Sequence, residues 1–480
     1  MSSDDTASSR RRRHRRRRRH GSSVPAWVLL NNEGYIGSRP NATTAVAYGR
    51  DDSLRVEASL YPARPPLPSN LFVSCPGVKF PRPSTILSTA GDLLLFRVPV
   101  AAGPPPRCAF YKDCDYFVYR AGDGAAKPPS LTLIPNPSPN NVFHDVDVGV
   151  LPRGGDHFTV AALVLASSTM KEYTLGRFDS EAGSTWASKS VWLDEPRRAP
   201  FPVKIPVDAG RLNHHITTTV ITLGGDAGTV GWVDLWSGIL LYDLLRDHDD
   251  GDHEELRDGR RPTLRHMPVP VPMHAITCNR GAGAKLGCPR AHRGITVATN
   301  KCGKACLKFA DLQTIGGRLP YRDVETMLPA YEVDDWIVTA WSNAAMGCSF
   351  EDWHEDFTVR GSEIRVGDAA RAELLASGLL HRKPRRDDDG EEPDTVVEIA
   401  LQNLSVSEPT PSQDADEDVL YLMARTKLFL PKAWALAIDM RNSELLGVAE
   451  FGTENGRDVS VTYRPSTISK YMKPVVAGPG

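Results

Sequence analysis

The apolar residues of this 480-residue chain occur in short runs that rarely exceed eight residues before Pro, Gly, Asn or Asp interrupts them. The 38 prolines and 39 glycines supply many of these interruptions. Short runs rich in β-branched and aromatic residues, bounded by turn-forming residues, are typical of strands. The chain is therefore predicted to be mostly β. Examples of predicted strands are residues 26–30, 93–98, 116–119, 158–165, 217–223 and 337–341.

One segment has a helical pattern instead. In residues 369–380, Leu374, Leu375, Leu379 and Leu380 can share one face of a helix, and Asp368 precedes the segment as a candidate N-cap. The sequence therefore predicts one short helix.

A loose internal repeat indicates how the strands are arranged. Three segments show a strand, an Asp, a short polar turn and a second strand, with the Asp at Asp179, Asp234 and Asp439, and Asp311 marks a fainter copy. The Asp spacings of 55, 77 and 128 fit units of about 50 residues, and each Asp is expected to accept backbone N–H bonds in its turn. Four-stranded units of this size predict a propeller-like array of antiparallel blades, and a pair of two-sheet sandwiches is the alternative.

The charge of the chain is distributed unevenly. Residues 1–24 carry nine arginines against Asp4 and Asp5, a net charge of +7, so the remainder carries -9 of the total of -2. Residues 1–24 have almost no apolar side chain with which to offset the entropy of ordering, so a disordered tail is predicted. Residues 25–475 are predicted to form the β domain, with acidic surface loops inserted near 247–261 and 384–418. The arginines of the tail are Arg10, Arg11, Arg12, Arg13, Arg15, Arg16, Arg17, Arg18 and Arg19.

This tail suggests two uses, and a low-complexity tail without a function is the alternative to both. Clustered guanidinium groups serve as a nuclear address read by importins, and they also bind polyanions through phosphate contacts. No aromatic residues are interleaved with the arginines, so any contact with nucleic acid is expected to be nonspecific. Residues 160–166 form the longest apolar run, which is too short to span a bilayer, and no apolar signal segment follows the tail. We therefore expect no membrane span and a nuclear or cytoplasmic location.

Candidate metal and catalytic motifs are weak. Cys278, Cys288, Cys302 and Cys306 are separated by nine, thirteen and three residues, unlike the paired spacing of common zinc sites. His274 and His292 leave a mixed site open, but free thiols are the prediction. Residues 248–255 lack the spacing of a calcium loop, and the adjacent pair at 214–215 would point to opposite faces of a strand. Residues 281–287 do not match a dinucleotide fingerprint, and no Walker loop or G-x-S-x-G elbow occurs. We predict no metal, no cofactor, no catalytic residues and no enzymatic activity.

Several segments resemble one protein family. Residues 214–225 and 228–243 carry most of the resemblance, with further similarity at 147–154, at 264–270 and around Trp341 and Trp353. They resemble a plant family, abundant in grasses, known as domain of unknown function 1618. The resemblance covers roughly residues 25–475. It implies a propeller-like β fold similar to F-box-associated regions, a nuclear or cytoplasmic setting and no assigned catalytic residues.

Within this resemblance, five residues stand out and are interpreted as structural. They are Trp232, Asp234, Trp236, Gly238 and Asp243. The function predicted from the sequence is a non-enzymatic scaffold that binds a protein partner, with aromatic or Arg anchors providing affinity. A nuclear protein that contacts nucleic acid through its tail is the alternative, and a hydrolase hidden in a propeller channel is a third possibility.

Overall fold

The computed structural model describes most of the chain between residues 24 and 472. The described residues are 24–50, 54–77, 82–99, 114–123, 127–137, 143–166, 171–183, 185–193, 215–246, 261–270, 288–324, 327–380, 382–384, 396–398, 400–427, 430, 432–451 and 462–472. The Arg run of the predicted tail lies outside them, as does the predicted insertion at 247–261 apart from Arg261.

The described residues form a mostly β fold with one α-helix, as the sequence predicts. Strand β1 spans Val28–Asn31. The first sheet contains β2 (Tyr35–Ile36), β3 (Ala45–Tyr48), β4 (Arg55–Tyr61) and β5 (Asn70–Ser74) in the order β2-β5-β4-β3. The second contains β6 (Thr85–Ala90), β7 (Leu93–Pro99), β8 (Cys114–Arg120) and β9 (Ser130–Ile134) in sequence order.

The third sheet has eight strands. They are β10 (Val148–Pro152), β11 (Phe158–Leu165), β12 (Glu172–Asp179), β13 (Ala187–Leu193), β14 (Thr219–Gly224), β15 (Thr229–Asp234), β16 (Gly238–Asp243) and β17 (Thr263–Met267). Their order is β10-β11-β12-β13-β17-β16-β15-β14.

The C-terminal part contains the remaining elements. The fourth sheet contains β18 (Arg293–Thr299), β19 (Ala305–Arg322), β20 (Pro329–Asn343) and β21 (His354–Arg360) in sequence order. Helix α1 (Asp368–Ala376) and the small pair β22 (Arg382–Pro384) and β23 (Val396–Glu398) follow. The fifth sheet contains β24 (Ser405–Pro411), β25 (Val419–Arg425), β26 (Ala433–Asp439) and β27 (Glu444–Phe451), and β28 (Tyr463–Ser466) pairs with β1.

The eight-stranded sheet consists of two antiparallel meanders that are joined at one edge. Trp192 and Leu193 of β13 pair in parallel with Thr263 and Leu264 of β17. β10 and β14 are the two outermost strands of this order, and they contact each other. The hydroxyl of Thr222 in β14 donates to a carbonyl oxygen of β10 at 2.9 Å. The sheet is thus nearly closed on itself, a feature that the prediction of separate four-stranded units did not include.

The first strands of successive meanders lie side by side. The amide of Val150 in β10 donates to the hydroxyl of Ser88 in β6 at 3.3 Å. Further along, Gly294 of β18 lies against β24 so closely that a Cβ there would overlap the Pro409 carbonyl oxygen. The terminal pair β1–β28 joins the same group, since the hydroxyls of Thr89 and Ser466 are 2.6 Å apart. These strands surround a common space, which is described below.

The hydrophobic core is divided among the interfaces between neighbouring sheets. Leu60 of the first sheet and Phe96 of the second share one cluster, and Leu95 and Phe158 share the next. Where a strand has neighbouring sheets on both faces, successive residues are buried instead of alternate ones. All seven residues of β8 are buried, for example.

The predicted helix is shorter than the sequence indicated. It begins at Asp368, with Gly367 as the N-cap and without a side-chain cap, and ends at Ala376. Leu379 and Leu380 lie beyond it and are buried with Leu374, whereas Leu375 is exposed. The sequence pattern correctly indicated that three of the four leucines are buried, but not how far the helix extends. The helix ends before Gly378, which has a φ of 78°.

Two other predictions are corrected. Residues 405–418 were expected to be part of a surface loop, but they include strand β24, with Val406 and Ser412 buried. Asp311 was expected in a turn, but it lies within β19. Residues 405–418 are rich in Ser, Pro and Asp, and this composition is typical of a loop. They nevertheless include a strand, because contacts with neighbouring sheets bury part of the segment.

Candidate functional site

Asp234 shows why an Asp recurs at the strand ends. Its carboxylate accepts the backbone N–H of Trp236 at 2.9 Å and that of Ile216 at 2.8 Å. Asp439 accepts the backbone N–H of Asn442 at 2.9 Å in the same way. Asp179 differs, since its carboxylate receives side-chain bonds from Thr159 and Arg177 instead.

The motif tryptophans point into the core. Trp232 is fully buried, and its indole N–H donates to the Asp147 carbonyl oxygen at 2.7 Å. Trp236 is buried as well, and Trp353 donates to the Pro268 carbonyl oxygen at 2.8 Å. Trp341 is half-buried against the cluster that holds Trp353.

Gly238 and Asp243 occupy the two ends of β16. Gly238 has a φ of 137°, in the region that favours glycine, and a Cβ there would lie 2.6 Å from the Met267 carbonyl oxygen. Asp243 accepts a bond from Arg265 at 2.8 Å and from the Thr229 hydroxyl at 2.6 Å. It lines a surface cavity of about 490 Å³.

Arg293 carries a buried charge that the sequence analysis did not predict. Its side chain has 0% exposure, and its Nε donates to Asp311 at 2.6 Å. The other two nitrogens donate to the carbonyl oxygens of Leu235 at 2.8 Å and Pro270 at 2.6 Å. The guanidinium lies 5.0 Å from the Trp236 ring centroid and 4.9 Å from that of Phe309. Asp311 is therefore the carboxylate that pairs with a buried Arg. No local sequence pattern around Arg293 indicates that Asp311 is its partner.

The candidate metal ligands are only partly described. Cys278, His274 and residues 248–255 lie outside the described residues, as do His214 and residues 281–287. Cys288 and Cys302 are exposed and lie before and after β18, respectively. His215 precedes β14 rather than lying in a strand. Among the residues described, no three His, Cys, Asp or Glu side chains gather as a metal site.

Strands β19 and β20 form a hairpin that extends beyond their sheet. Pairing of β19 with β18 ends at Asp311, and pairing of β20 with β21 begins at Ile337. We call residues 313–335 the arm; its described residues, 313–324 and 327–335, project past these points. Near the tip, Asp323 forms an ion pair with Lys427 at 2.9 Å, which ties the arm to the fifth sheet.

The arm exposes large apolar side chains. Tyr321 is 61% exposed, Val324 89%, Met327 64% and Tyr331 49%. Exposed apolar residues that are concentrated in one projecting element indicate an interaction surface more strongly than isolated ones do. No local signal in the sequence separated the arm from ordinary strands, because its alternation continues that of the buried part.

The second candidate site is a cavity of about 490 Å³ between the first strands of the meanders, lined by both polar and apolar residues. Its wall includes β14, residues of β18 and the segment from Arg464 to Tyr471. Thr296, only 2% exposed, and Gln413 both line it, and within the described structure neither the Thr296 hydroxyl nor the Gln413 side-chain oxygen has a hydrogen-bond partner.

Lys470 and Arg464 are the charged residues that line this wall; Lys470 is exposed, whereas Arg464 is partly buried. Its Nε and Nη2 donate to the Asn32 side-chain oxygen at 3.1 and 3.0 Å, and no described carboxylate lies within 4.0 Å of the guanidinium. Burial and the positive charge of Arg290 lower the pKa of Arg464. The side chain that accepts hydrogen bonds from Arg464, that of Asn32, is therefore neutral.

Glu408 lies near the same charges. It occupies a bulge of β24 with a φ of 56°, and the Thr462 hydroxyl donates to its carboxylate at 3.0 Å. Burial raises the pKa of Glu408, while the charges of Arg290, Arg425 and Arg464 oppose that increase. Three guanidinium groups therefore act on the Glu408 carboxyl group.

A family model described as "Protein of unknown function (DUF1618)" matches residues 232–421, which is less than half of the chain. This match supports the family that the sequence resembles. No curated protein matches the chain significantly. No helix in the described ranges is long and apolar enough to cross a membrane.

Among solved structures, the chain is similar to a hydrazine synthase of Kuenenia stuttgartiensis at 12% identity. That alignment covers 88% of this chain and 99% of the other, with a TM-score of 0.25. A TM-score this low supports no conclusion about fold or activity.

Proposed function

We propose that this protein is a non-enzymatic protein-interaction scaffold, and that the arm is its principal contact surface. The observation that carries the proposal is the concentration of exposed Tyr, Val and Met side chains on a projecting hairpin. Aromatic residues and Arg are enriched among the residues that dominate binding energy at protein interfaces. The arm offers Tyr321 and Tyr331 together with Arg318 and Arg322.

We further propose that the sheets form a propeller-like array, with plant origin inferred from the sequence resemblance. The support is that each first strand lies beside the next and that β1 and β28 bring the two ends of the described fold together. Such an arrangement provides a rigid base from which an inserted hairpin projects.

The charge of the arm indicates the chemistry of its partner. The arm carries +2 from Arg318 and Arg322 and -5 from its acidic residues, a net charge of -3. A partner with an apolar groove and a basic rim is therefore complementary in both respects. The acidic residues are Asp323, Glu325, Glu332, Asp334 and Asp335.

Replacing Tyr321 and Tyr331 together with Ser is expected to reduce partner capture at least tenfold, because both exposed anchors are lost. Thermal stability should change little, since neither ring is buried. Proximity labelling with quantitative mass spectrometry, comparing the variant with the wild type, measures the loss.

The matched control for this experiment is Tyr48→Ser. Tyr48 is 56% exposed and lies on β3, away from the arm. Loss of the same partners in this control, or their full retention in the arm variant, would exclude the arm as the contact surface.

A second function is proposed for the tail, on the basis of Arg10–Arg19. We propose that the tail directs the protein to the nucleus through importins, and that contact with nucleic acid through phosphates is the alternative use of the same charge. A cytoplasmic location follows if the tail does neither. A hydrolase is the third candidate function.

Fusing residues 1–24 to a reporter protein is expected to move the reporter into the nucleus, since nine clustered guanidinium groups suit an import receptor. Fluorescence microscopy gives the nuclear-to-cytoplasmic ratio, and the same fusion with all nine Arg replaced by Gln is the control. A reporter that stays cytosolic contradicts nuclear import. Polyanion binding is separated by a salt titration of the full chain with and without residues 1–24.

A further inference from the structure

We propose that the cavity between the first strands binds a small-molecule oxyanion, a phosphate or carboxylate group, with Arg464 as its anchor. This site is separate from the arm and does not depend on the scaffold function. Three features of the cavity wall and the charges near it support the proposal.

The first feature is a positive charge that makes no direct contact with a described carboxylate. An Arg guanidinium stays protonated at neutral pH, and a charge that is partly withdrawn from solvent is costly unless it is paired. Arg464 donates only to the neutral amide of Asn32 among the described residues. An oxyanion within reach of the remaining N–H donors would provide a counter-charge in direct contact.

The second feature is the excess of positive charge around Arg464. Arg290 and Arg425 lie near enough to act on the charge of Glu408. Asp145 also acts on Arg464, but its carboxylate is bound to Arg97 at 2.8 Å. Arg290 and Arg464 therefore place two positive charges in the region of the Glu408 carboxyl group, and this region favours an added anion.

The third feature is the unused hydrogen-bonding capacity. The Thr296 hydroxyl and the Gln413 side-chain oxygen are buried at the cavity without a described partner. Buried polar groups in native proteins are nearly always hydrogen-bonded. The hydroxyl can donate to an oxyanion, and the amide can bond to a hydroxyl or amine elsewhere in the same ligand.

The size of the space fits such a ligand. Small-molecule sites have volumes of roughly 300–1,000 Å³, and this cavity has about 490 Å³. The planar donor geometry of Arg suits carboxylate and phosphate equally. The source of the oxyanion is therefore decided by comparing ligands.

Isothermal titration calorimetry of the full chain with inorganic phosphate, glycerol 3-phosphate and succinate, at constant ionic strength in chloride, tests the proposal. Saturable binding of either phosphate compound identifies a phosphate site, and preference for succinate identifies a carboxylate site. Replacing Arg464 with Met is expected to weaken the preferred ligand at least tenfold, because the anchoring charge is removed.

The control is Arg55→Met, which makes the same change in net charge at an exposed side chain on β4. Both variants keep the Arg-rich tail, so anion binding by the tail affects them equally. If Arg464→Met does not fold, Thr296→Val removes one hydroxyl without a change of shape, and a threefold or larger loss of affinity is expected. Absence of saturable binding, or equal binding by wild type and the folded cavity variant, overturns the proposal and leaves a water-filled cavity.

Discussion

Replacing Arg293 with Met is expected to lower the free energy of unfolding by about 3–5 kcal/mol, because removing one partner of a buried charge pair leaves the other uncompensated. The change would leave Asp311 without its 2.6 Å bond, together with the carbonyl oxygens of Leu235 and Pro270. Urea unfolding followed by fluorescence measures the difference.

Two further variants define the cause of this loss. Arg293→Lys is expected to recover little stability, since an ammonium group cannot reproduce the planar guanidinium that donates to three partners and lies within 5.0 Å of the Trp236 ring centroid and 4.9 Å of the Phe309 ring centroid. Arg55→Met, at an exposed position, should change the free energy of unfolding by less than about 0.5 kcal/mol. A loss below about 1 kcal/mol in Arg293→Met would show that the buried network is not needed for stability.

Replacing Trp232 with Ala is expected to cost about 3–5 kcal/mol in the free energy of unfolding, the usual range for a buried aromatic residue. Trp232 has 0% exposure and contributes to the cluster between the two meanders of the eight-stranded sheet. The cavity left by the Trp232→Ala substitution cannot collapse easily, because strands of both meanders pack around it. Thermal and urea unfolding should both shift.

The hydrogen bond of Trp232 is separable from its volume. Trp232→Phe keeps most of the packing but leaves the Asp147 carbonyl oxygen without its 2.7 Å donor, so a smaller loss of about 1–3 kcal/mol is expected. Trp192→Ala, at a half-buried position on β13, is the comparison. If Trp192→Ala lowers the free energy of unfolding as much as Trp232→Ala does, the complete burial of Trp232 does not explain its effect on stability.

The strand positions were predictable because their causes are local. The predicted segment 158–165 matches β11, and 93–98 and 116–119 fall inside β7 and β8. Short apolar runs between Gly, Pro and Asp residues contain the information needed for a strand and its ends. The match fails where burial comes from distant sheets, as in residues 405–411, whose composition alone suggests a loop.

The candidate sites were not predictable in the same way. Arg293 acquires its role from Asp311, Leu235 and Pro270, which are 18, 58 and 23 residues away. The cavity combines Thr296, Gln413 and Arg464, each of which reads as an ordinary polar residue of its own segment. The arm continues the alternation of β19 and β20, so only the end of pairing with β18 and β21 reveals it.

The sequence by itself therefore determined the mostly β composition, most strand positions and the Asp residues at three strand ends, because short-range patterning and turn chemistry control these features. The tertiary structure alone decided that two meanders join into one sheet, that Arg293 is buried, and which polar side chains face a common cavity. These features arise from contacts between residues far apart in the chain. Such contacts depend on how the sheets pack against one another, which no local pattern encodes.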